Sequence, residues 1–295
     1  MTHISYYSGG IGSWAATVRV AAQHGTADLH LVFADTLIED DDLYRFVIET
    51  AGKLYDVPVD STVSLPSVVD DLPGRKAALA ELRTKTMAAI PQLHWIAEGR
   101  TPWEVFKDER YVGNSRKDPC SKLLKREFMD RYCRRTFRGQ ETVHYFGIDW
   151  TEEHRITRVQ ARMVGQSCVA PLCSPPYLSK QQCIKQASQM GIAPPRLYGV
   201  GASHNNCGLF CVKSGQAQFA LLLRVNPKLY AYHEAQEQAM MSYLGRQDCT
   251  IMKCRRGVKP GSKPRPLSLQ AFRIRLEQTP EEYDKFAWGG CGCAL

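Results

Sequence analysis

A glycine-rich turn near the N-terminus has the residue types that bind phosphate. The turn, between a β-like segment and a helical pattern, reads Ser8-Gly9-Gly10-Ile11-Gly12-Ser13. Glycine permits a positive φ and a close approach of the main chain, so such a turn presents several N–H groups toward one point. The two serine hydroxyls add donors, and the following helix N-terminus adds partial positive charge. The turn predicts a site for anionic oxygens, with a tight turn that binds nothing as the alternative.

The cysteines are the second group of residues that could bind a metal or take part in a reaction. The chain contains 11 of them, and this odd number in an intracellular protein indicates metal, cluster or catalytic thiols more than a disulfide framework. Cys207 and Cys211 are separated by three residues, a spacing at which thiolates suit an iron–sulfur cluster or zinc. His204 is a further zinc candidate, or a loop residue that forms hydrogen bonds. Six others are expected to pack as small apolar residues, namely Cys133, Cys168, Cys173, Cys183, Cys249 and Cys254.

Alternating strand and helix patterns must position these residues. Strands are predicted at residues 3–7, 28–33, 57–63 and 142–148. Helices are predicted at residues 14–24, 75–97 and 123–137, with a polar loop at residues 100–119. A strand, a glycine turn, a helix and a second strand are typical of a parallel sheet with right-handed crossovers. We therefore expect an α/β, Rossmann-like fold with helices on both faces of the sheet.

The chain is expected to contain two regions. We expect residues 1–170 to form a nucleotide-binding domain and residues 171–295 to form a mostly helical region that contains cysteines. The proline-rich residues 171–176 mark the boundary. Helices are expected at residues 179–190 and 219–244.

Composition and charge limit the class of protein. Of the 295 residues, 44% are hydrophobic and 23% charged, which excludes a wholly disordered chain. No apolar stretch reaches the ~18 residues of a membrane span, and no secretion signal is evident, so we expect a soluble, cytoplasmic protein. A net charge of +8 favours a polyanionic partner. Residues 253–265 contain six basic residues and no acidic one, and this composition predicts a mobile loop. The loop would contact tRNA or DNA, or it would be a solvated surface connector.

Several segments between residues 3 and 215 match the motifs of a known superfamily in order and spacing. Residues 8–13 are similar to an SGGxDS loop, with Gly12 where aspartate is usual. Residues 33–36 resemble a DTG element without its glycine, and residues 119–125 resemble a segment with one cysteine and lysines. Residues 147–155 resemble a GxRxxES element in which Asp149 and Glu153 replace arginine and serine. The chain thus resembles the PP-loop adenine-nucleotide α-hydrolases, in the branch of PAPS and adenylyl-sulfate reductases and sulfur-inserting enzymes.

This resemblance implies a HUP-type PP-loop fold that binds ATP or PAPS, with Mg²⁺ as a companion of the phosphates. The implied nucleotide-binding residues are Ser8, Gly9, Gly10, Gly12, Ser13, Asp35, Thr36 and Arg116. The implied catalytic residues are Lys122, Lys125, Glu152 and Arg155. The cations would neutralise a departing pyrophosphate. Alternatives are a helix N-cap for Asp35 and a surface salt bridge for Glu152.

The resemblance also implies a metal centre. Cys120 matches the family's first cluster cysteine, and Cys207 and Cys211 match its second pair. Cys291 or Cys293 would supply a fourth ligand if the C-terminal tail folds back. A [4Fe-4S] cluster is the expected cofactor, with zinc or no metal as alternatives. Cys291 and Cys293 also resemble the near-terminal nucleophile of PAPS reductases, although the glutamate and histidine that flank it are missing.

Three functions follow from these patterns. The leading hypothesis is an ATP-dependent enzyme that adenylates nucleic acid, releases pyrophosphate, and inserts sulfur from a thiol or persulfide donor. The second is a PAPS or adenylyl-sulfate reductase that makes sulfite with thioredoxin as reductant. The third is a nucleotide-binding regulatory protein without turnover. It is suggested by Gly12, which stands where the resembled motif usually has aspartate.

Overall fold

A five-stranded sheet forms the centre of the protein. The computed structural model describes residues 1–259 and 261–290. All neighbouring strands of this sheet are parallel, in the order β3-β2-β1-β4-β5. They are β1 (Thr2–Tyr6), β2 (Leu29–Asp35), β3 (Leu93–Ala97), β4 (Thr142–Phe146) and β5 (Ser167–Val169). Two further strands, β6 (Met252–Cys254) and β7 (Arg265–Leu267), form an antiparallel pair. The predicted Rossmann-like α/β architecture is confirmed.

Eleven α-helices in the described residues surround or follow this sheet. The first six are α1 (Ile11–His24), α2 (Asp41–Tyr55), α3 (Leu72–Ala89), α4 (Pro102–Asp108), α5 (Glu127–Thr136) and α6 (His154–Arg162). The others are α7 (Lys180–Gln189), α8 (Arg196–Gly199), α9 (Gln216–Val225), α10 (Pro227–Leu244) and α11 (Leu269–Gln278). A π-helical segment, Ser121–Arg126, leads directly into α5. Within the described chain, we find no helix whose length and apolar character would let it cross a membrane.

Helices cover both faces of the sheet because successive strand side chains point to opposite sides. On β2, Leu31 and Phe33 belong to one apolar core, which α1, α2, α3 and α7 complete. Val32 and Ala34 belong to the core on the other face, which α5 and α6 complete. This arrangement leaves the carboxyl ends of the strands available for loops that carry side chains.

The C-terminal region contains helices, as predicted, and a third core lies among them. It contains Phe219, Tyr230 and Phe272 from α9, α10 and α11, together with Phe106 from α4. Hydrophobic contacts therefore cross the predicted boundary at residue 170, and Leu172 packs in the core of the sheet. The division into two domains at that position remains a prediction.

The predicted third strand was wrong. Residues 57–63 lie outside the sheet and form neither helix nor strand, and Val57, Val59 and Val63 pack half-buried against the first core. Their alternation thus reflects burial of one side and not strand pairing. The third strand is β3, which had been predicted as helix. Helix α3 ends at Ala89 because Ile90 precedes a proline, and that position disfavours the α conformation.

Two helix boundaries also differ from the prediction. The loop expected at residues 100–119 contains α4, which begins with a capping box formed by Thr101 and Glu104. The single helix expected at residues 219–244 is two helices, because Pro227 cannot continue α9 and the Asn226 side chain caps α10. Residues 253–265, which we call the basic stretch, connect β6 to β7. Pro260 within this stretch lies outside the described residues.

Candidate functional site

A pocket opens at the carboxyl edge of the sheet, between β1 and β4, where the strand order reverses. Open parallel sheets bind ligands at such positions. We call it the edge pocket, and its volume is about 300 Å³. The glycine turn and the ends of β1, β2 and β4 form one part of its wall. Later residues complete it, namely Lys125, Met129, Thr151, Glu152, Arg155, Lys180, Tyr198, His204, Asn205 and Asn206.

Short contacts fix the shape of the glycine turn. Gly9 has a φ of +75°, and a side chain there would place its Cβ 2.8 Å from Leu43 of α2. Ser13 Oγ accepts hydrogen bonds from the main-chain N–H and the hydroxyl of Ser8, both at 3.2 Å. It donates to the Gly10 carbonyl at 2.8 Å. The turn is therefore preformed, with Ser8, Gly10 and Ser13 on the wall of the edge pocket and Gly9 packed against α2.

The end of β4 approaches this turn so closely that glycine is required. A Cβ on Gly147 would lie 2.5 Å from the Ser13 Cα, closer than real Cβ atoms come to another atom. A Cβ on Gly12 would lie 3.2 Å from the Gly147 carbonyl oxygen. The aspartate that PP-loop proteins usually have at the Gly12 position would therefore crowd β4. Gly12 and Gly147 together set the distance between the two sides of the edge pocket.

Three cationic side chains line the edge pocket, and two of them were predicted site residues. Lys125 pairs with Glu39 at 3.1 Å, and Arg155 pairs with Glu152 at 2.5 Å. Lys180, which sequence reasoning missed, donates to the Ser203 carbonyl. These cations come from three separate parts of the chain, yet they share one wall with the glycine turn. The pocket thus combines backbone donors with fixed positive charge, which suits a ligand with several anionic oxygens.

One side of the edge pocket is apolar. It is formed by residues of β2, of β4 and the chain after it, and of α5, namely Val32, Ala34, Phe146, Ile148 and Met129. The Tyr6 ring stacks on Phe146, with 4.4 Å between ring centroids, and extends this surface. A flat aromatic ligand group fits such a wall, because its faces need no hydrogen bonds.

Two predicted cations do not reach the edge pocket. Lys122 is 57% exposed and pairs with Glu127 at 3.5 Å, whereas Lys125, three residues later, is 5% exposed. Arg116 is exposed on a turn in which the Asn114 side chain accepts from its main-chain N–H. Neither residue lines the edge pocket, so their predicted roles stay predictions.

Asp35 and Thr36 also lie outside the wall of the edge pocket. The buried Asp35 carboxylate accepts from the main-chain N–H of Leu37, from Tyr44 and from Trp95, at 2.7, 2.8 and 3.1 Å. Burial raises the pKa of Asp35, and these donors partly oppose the rise. Asp35 therefore orders the end of β2. The N-cap of α2 is Asp40 and not Asp35, whereas the ribose contact stays a prediction.

Three of the predicted metal-binding cysteines line one small pocket, which we call the cysteine pocket. Cys120, Cys207 and Cys211 are brought together there although 87 positions separate the first two in sequence. Thr36 lines the same pocket, and its hydroxyl lies 3.8 Å from the Cys207 sulfur. The backbone is left-handed at Cys207, Gly208 and Leu209, with φ of 50°, 57° and 75°. Lys125 lines both pockets, so they are direct neighbours.

Three cysteines line the cysteine pocket, and thiolates are ligands that soft metals prefer. Within residues 1–259 and 261–290, no group of three or more histidine, cysteine, aspartate or glutamate side chains is close enough to hold a metal ion. Cys291 and Cys293, the predicted further ligands, lie outside the described residues. Burial raises the pKa of Cys133, to about 12, and of Cys183, as expected for thiols that pack as apolar groups.

Glu39 is the main site residue that sequence reasoning missed. The sequence indicates only an acidic start of α2, yet the Glu39 side chain is buried and accepts from the Thr36 hydroxyl at 2.9 Å. It also accepts from Lys125 and from the main-chain N–H of Cys207. We call residues 207–211 the cysteine loop. The Glu39 carboxylate therefore connects this loop to the end of β2 and to the π-helical segment.

Two polar side chains from the segment before Cys207 complete the edge pocket. Asn205 is 2% exposed and donates to the Gly9 carbonyl at 3.0 Å, while its own Oδ1 is buried without a partner among the described residues. Burial, together with Lys180 and Arg155, lowers the pKa of His204 to about 4. Asn205 Oδ1 is therefore open to a donor from a ligand, and the His204 ring is held in its neutral form. The sequence signal for them is only their proximity to Cys207.

Comparisons of the chain with known protein families, with characterised proteins and with solved structures found no match.

Proposed function

We propose that the protein binds an adenine nucleotide in the edge pocket and uses it to activate nucleic acid for sulfur insertion. The observation that carries this proposal is the meeting of a preformed glycine turn, three cations and an apolar wall at one edge of a parallel sheet. A nucleotide has the matching parts, because its phosphates need donors and its base needs a flat apolar surface.

In the proposed reaction, an oxygen of the acceptor attacks the α-phosphorus of ATP, and the bond to the bridging oxygen of pyrophosphate breaks. Lys125, Arg155 and Lys180 would neutralise the charge that develops on the leaving pyrophosphate. A sulfur nucleophile then displaces AMP from the acceptor, since adenylation turns the oxygen into a good leaving group. Mg²⁺ would enter with the phosphates.

The cysteine pocket supports sulfur chemistry in the proposed reaction. Its three thiols would provide ligands for a [4Fe-4S] cluster or zinc, which would bind and present sulfur. Lys125 lines both pockets, so sulfur held in one would lie beside a nucleotide held in the other. The same arrangement favours a second candidate, reduction of PAPS or adenylyl-sulfate, because that reaction also brings thiols to a nucleotide.

Calorimetric titration of the purified protein with ATP, PAPS and GTP tests the nucleotide proposal. The Gly147→Ala variant is expected to bind the preferred adenine nucleotide at least about tenfold more weakly, since its Cβ would displace Ser13. Gly199→Ala is the matched control, because a Cβ there has open space around it. Equal affinity of the two variants, or no binding of any adenine nucleotide by the parent protein, would remove the proposal.

Product analysis separates the two reactions. Pyrophosphate and AMP formed from ATP in the presence of tRNA or DNA support adenylation, whereas sulfite formed from PAPS supports the reductase. Iron, zinc and sulfide content of anaerobically purified protein identifies the metal. Metal-free protein in which Cys120→Ala leaves turnover unchanged would contradict a role for the cysteine pocket.

A further inference from the structure

A second, basic groove lies away from the edge pocket. It has a volume of about 370 Å³ and runs between the chain that leaves α4 and the chain that leaves α10. Its charged lining residues are Arg110, Arg246, Lys253 and Asp248, so cations outnumber acids. We call it the basic groove. Neither the predicted site residues nor the proposed chemistry in the edge pocket uses it.

Aromatic rings accompany the cations at this groove. The Arg110 guanidinium lies 5.2 Å from the centroid of the Tyr243 ring and donates to the Tyr243 hydroxyl at 3.3 Å. The Lys117 ammonium lies 4.6 Å from the centroid of the Tyr111 ring, and Tyr111 lines the groove. The Tyr243 ring is 45% exposed and is therefore accessible to a ligand. The groove therefore offers cations and stacking surfaces side by side.

The backbone at the groove supports a functional reason for this arrangement. Arg110 has a φ of +50°, a left-handed conformation that costs free energy for a residue with a side chain. This conformation follows the end of α4 and turns the chain so that Arg110 and Tyr111 both line the groove. A glycine would relieve the strain but would remove the cation.

We propose that the basic groove binds single-stranded nucleic acid, the acceptor class of the proposed function, on which this inference rests. Arg110, Arg246 and Lys253 would contact phosphates, and Tyr243 would stack on an exposed base. The groove is close to the sulfur site along the chain, since Asn114 lines the groove and Asp118 lines the cysteine pocket. Lys253, the first residue of the basic stretch at residues 253–265, also lines the groove.

Fluorescence anisotropy with a labelled single-stranded RNA of about 20 nucleotides tests this inference, with the full-length protein and no ATP. Arg110→Glu and Tyr243→Leu are each expected to weaken binding about tenfold, and Tyr243→Phe, which keeps the ring, should change it less than about twofold. The control is Lys185→Glu, the same kind of charge reversal at an exposed site on α7, and it should leave binding within about twofold. Binding should weaken as salt rises.

Three results would overturn the inference. The first is equal loss of RNA binding in Lys185→Glu and Arg110→Glu. The second is equal competition by duplex DNA of the same length, because paired bases cannot stack on Tyr243. The third is equal competition by polyglutamate, which would indicate an acidic protein partner. ATP binding measured in the same variants separates the two proposals, because the edge pocket lies outside the groove and should bind nucleotide even if the RNA does not bind.

Discussion

At the scale of single residues, the connection between the two pockets depends on the Glu39–Lys125 ion pair. The Glu39 side chain is 1% exposed and that of Lys125 is 5% exposed, so both charges are removed from water. Such burial is costly, and the cost is offset only when each charge keeps its partners. Glu39 also accepts from Thr36 and Cys207, which places the cysteine loop against the end of β2.

We expect Glu39→Gln to lower the free energy of unfolding by about 3 kcal/mol, because the buried Lys125 would lose its partner charge. Urea denaturation followed by circular dichroism measures this change. The control is Glu127→Gln, the same substitution in the exposed pair with Lys122, which should cost less than about 1 kcal/mol. Similar losses in the two variants would show that the buried pair has no special role.

At the scale of elements, α3 holds the loop that joins β2 to α2. Arg75 of α3 is 3% exposed, and its guanidinium donates to the carbonyls of Leu37 and Glu39 and to the carboxylate of Asp41. Leu37 in this loop has a φ of +68°, a conformation that needs support from its surroundings. The helix thus positions Glu39 through main-chain contacts, at a distance from the pockets themselves.

We expect Arg75→Met to destabilise the protein by about 3 kcal/mol or more, since buried carbonyls and the Asp41 carboxylate would lose their donor. Arg75→Lys should restore only part of the loss, because lysine lacks the planar fork of donors. Thermal unfolding measures the stability, and hydrogen exchange measures protection of residues 36–41. Lys85→Met, at an exposed position of the same helix, should change the stability by less than about 0.5 kcal/mol.

At the scale of the whole molecule, burial keeps several histidines neutral. It lowers the pKa of His94 and His144 to about 4 and holds the pKa of His233 well below its usual value. In the unfolded chain, histidine has a pKa of about 6.5. On acidification the unfolded state therefore binds protons first, and stability that is present above pH 6.5 is lost as the pH falls toward 4. The buried Glu237, whose pKa rises to about 7, acts in the opposite direction.

We expect the free energy of unfolding to be lower at pH 5 than at pH 7, and His144→Gln to reduce this difference by about 1–2 kcal/mol. Urea titrations at the two pH values measure both quantities. The exposed His154→Gln variant should show the same pH dependence as the parent protein. An unchanged difference in His144→Gln would mean that this ring gains its proton without cost in the folded state.

The sequence by itself determined the local features of the protein. The glycine turn, the parallel α/β arrangement and the helix at residues 179–190 follow from short-range rules of backbone conformation and apolar periodicity. Prediction failed at β3, where two such rules compete. The helical composition continues to residue 97, but α3 ends at Ala89, before Pro91. The alternating valines of residues 57–63 predicted a strand that the structure does not contain, because strand pairing depends on partners that are distant in the sequence.

Only the tertiary structure decided which side chains meet. Positions 122 and 125 are both lysine and lie three residues apart, yet only Lys125 lines the edge pocket. Lys180 and Asn205 reach the edge pocket from the C-terminal region, and Cys120 and Cys207 line one pocket, through contacts between distant segments. These contacts depend on strand order and on the direction of each side chain. Spacing along a chain encodes neither, because both are set when separate elements pack against one core.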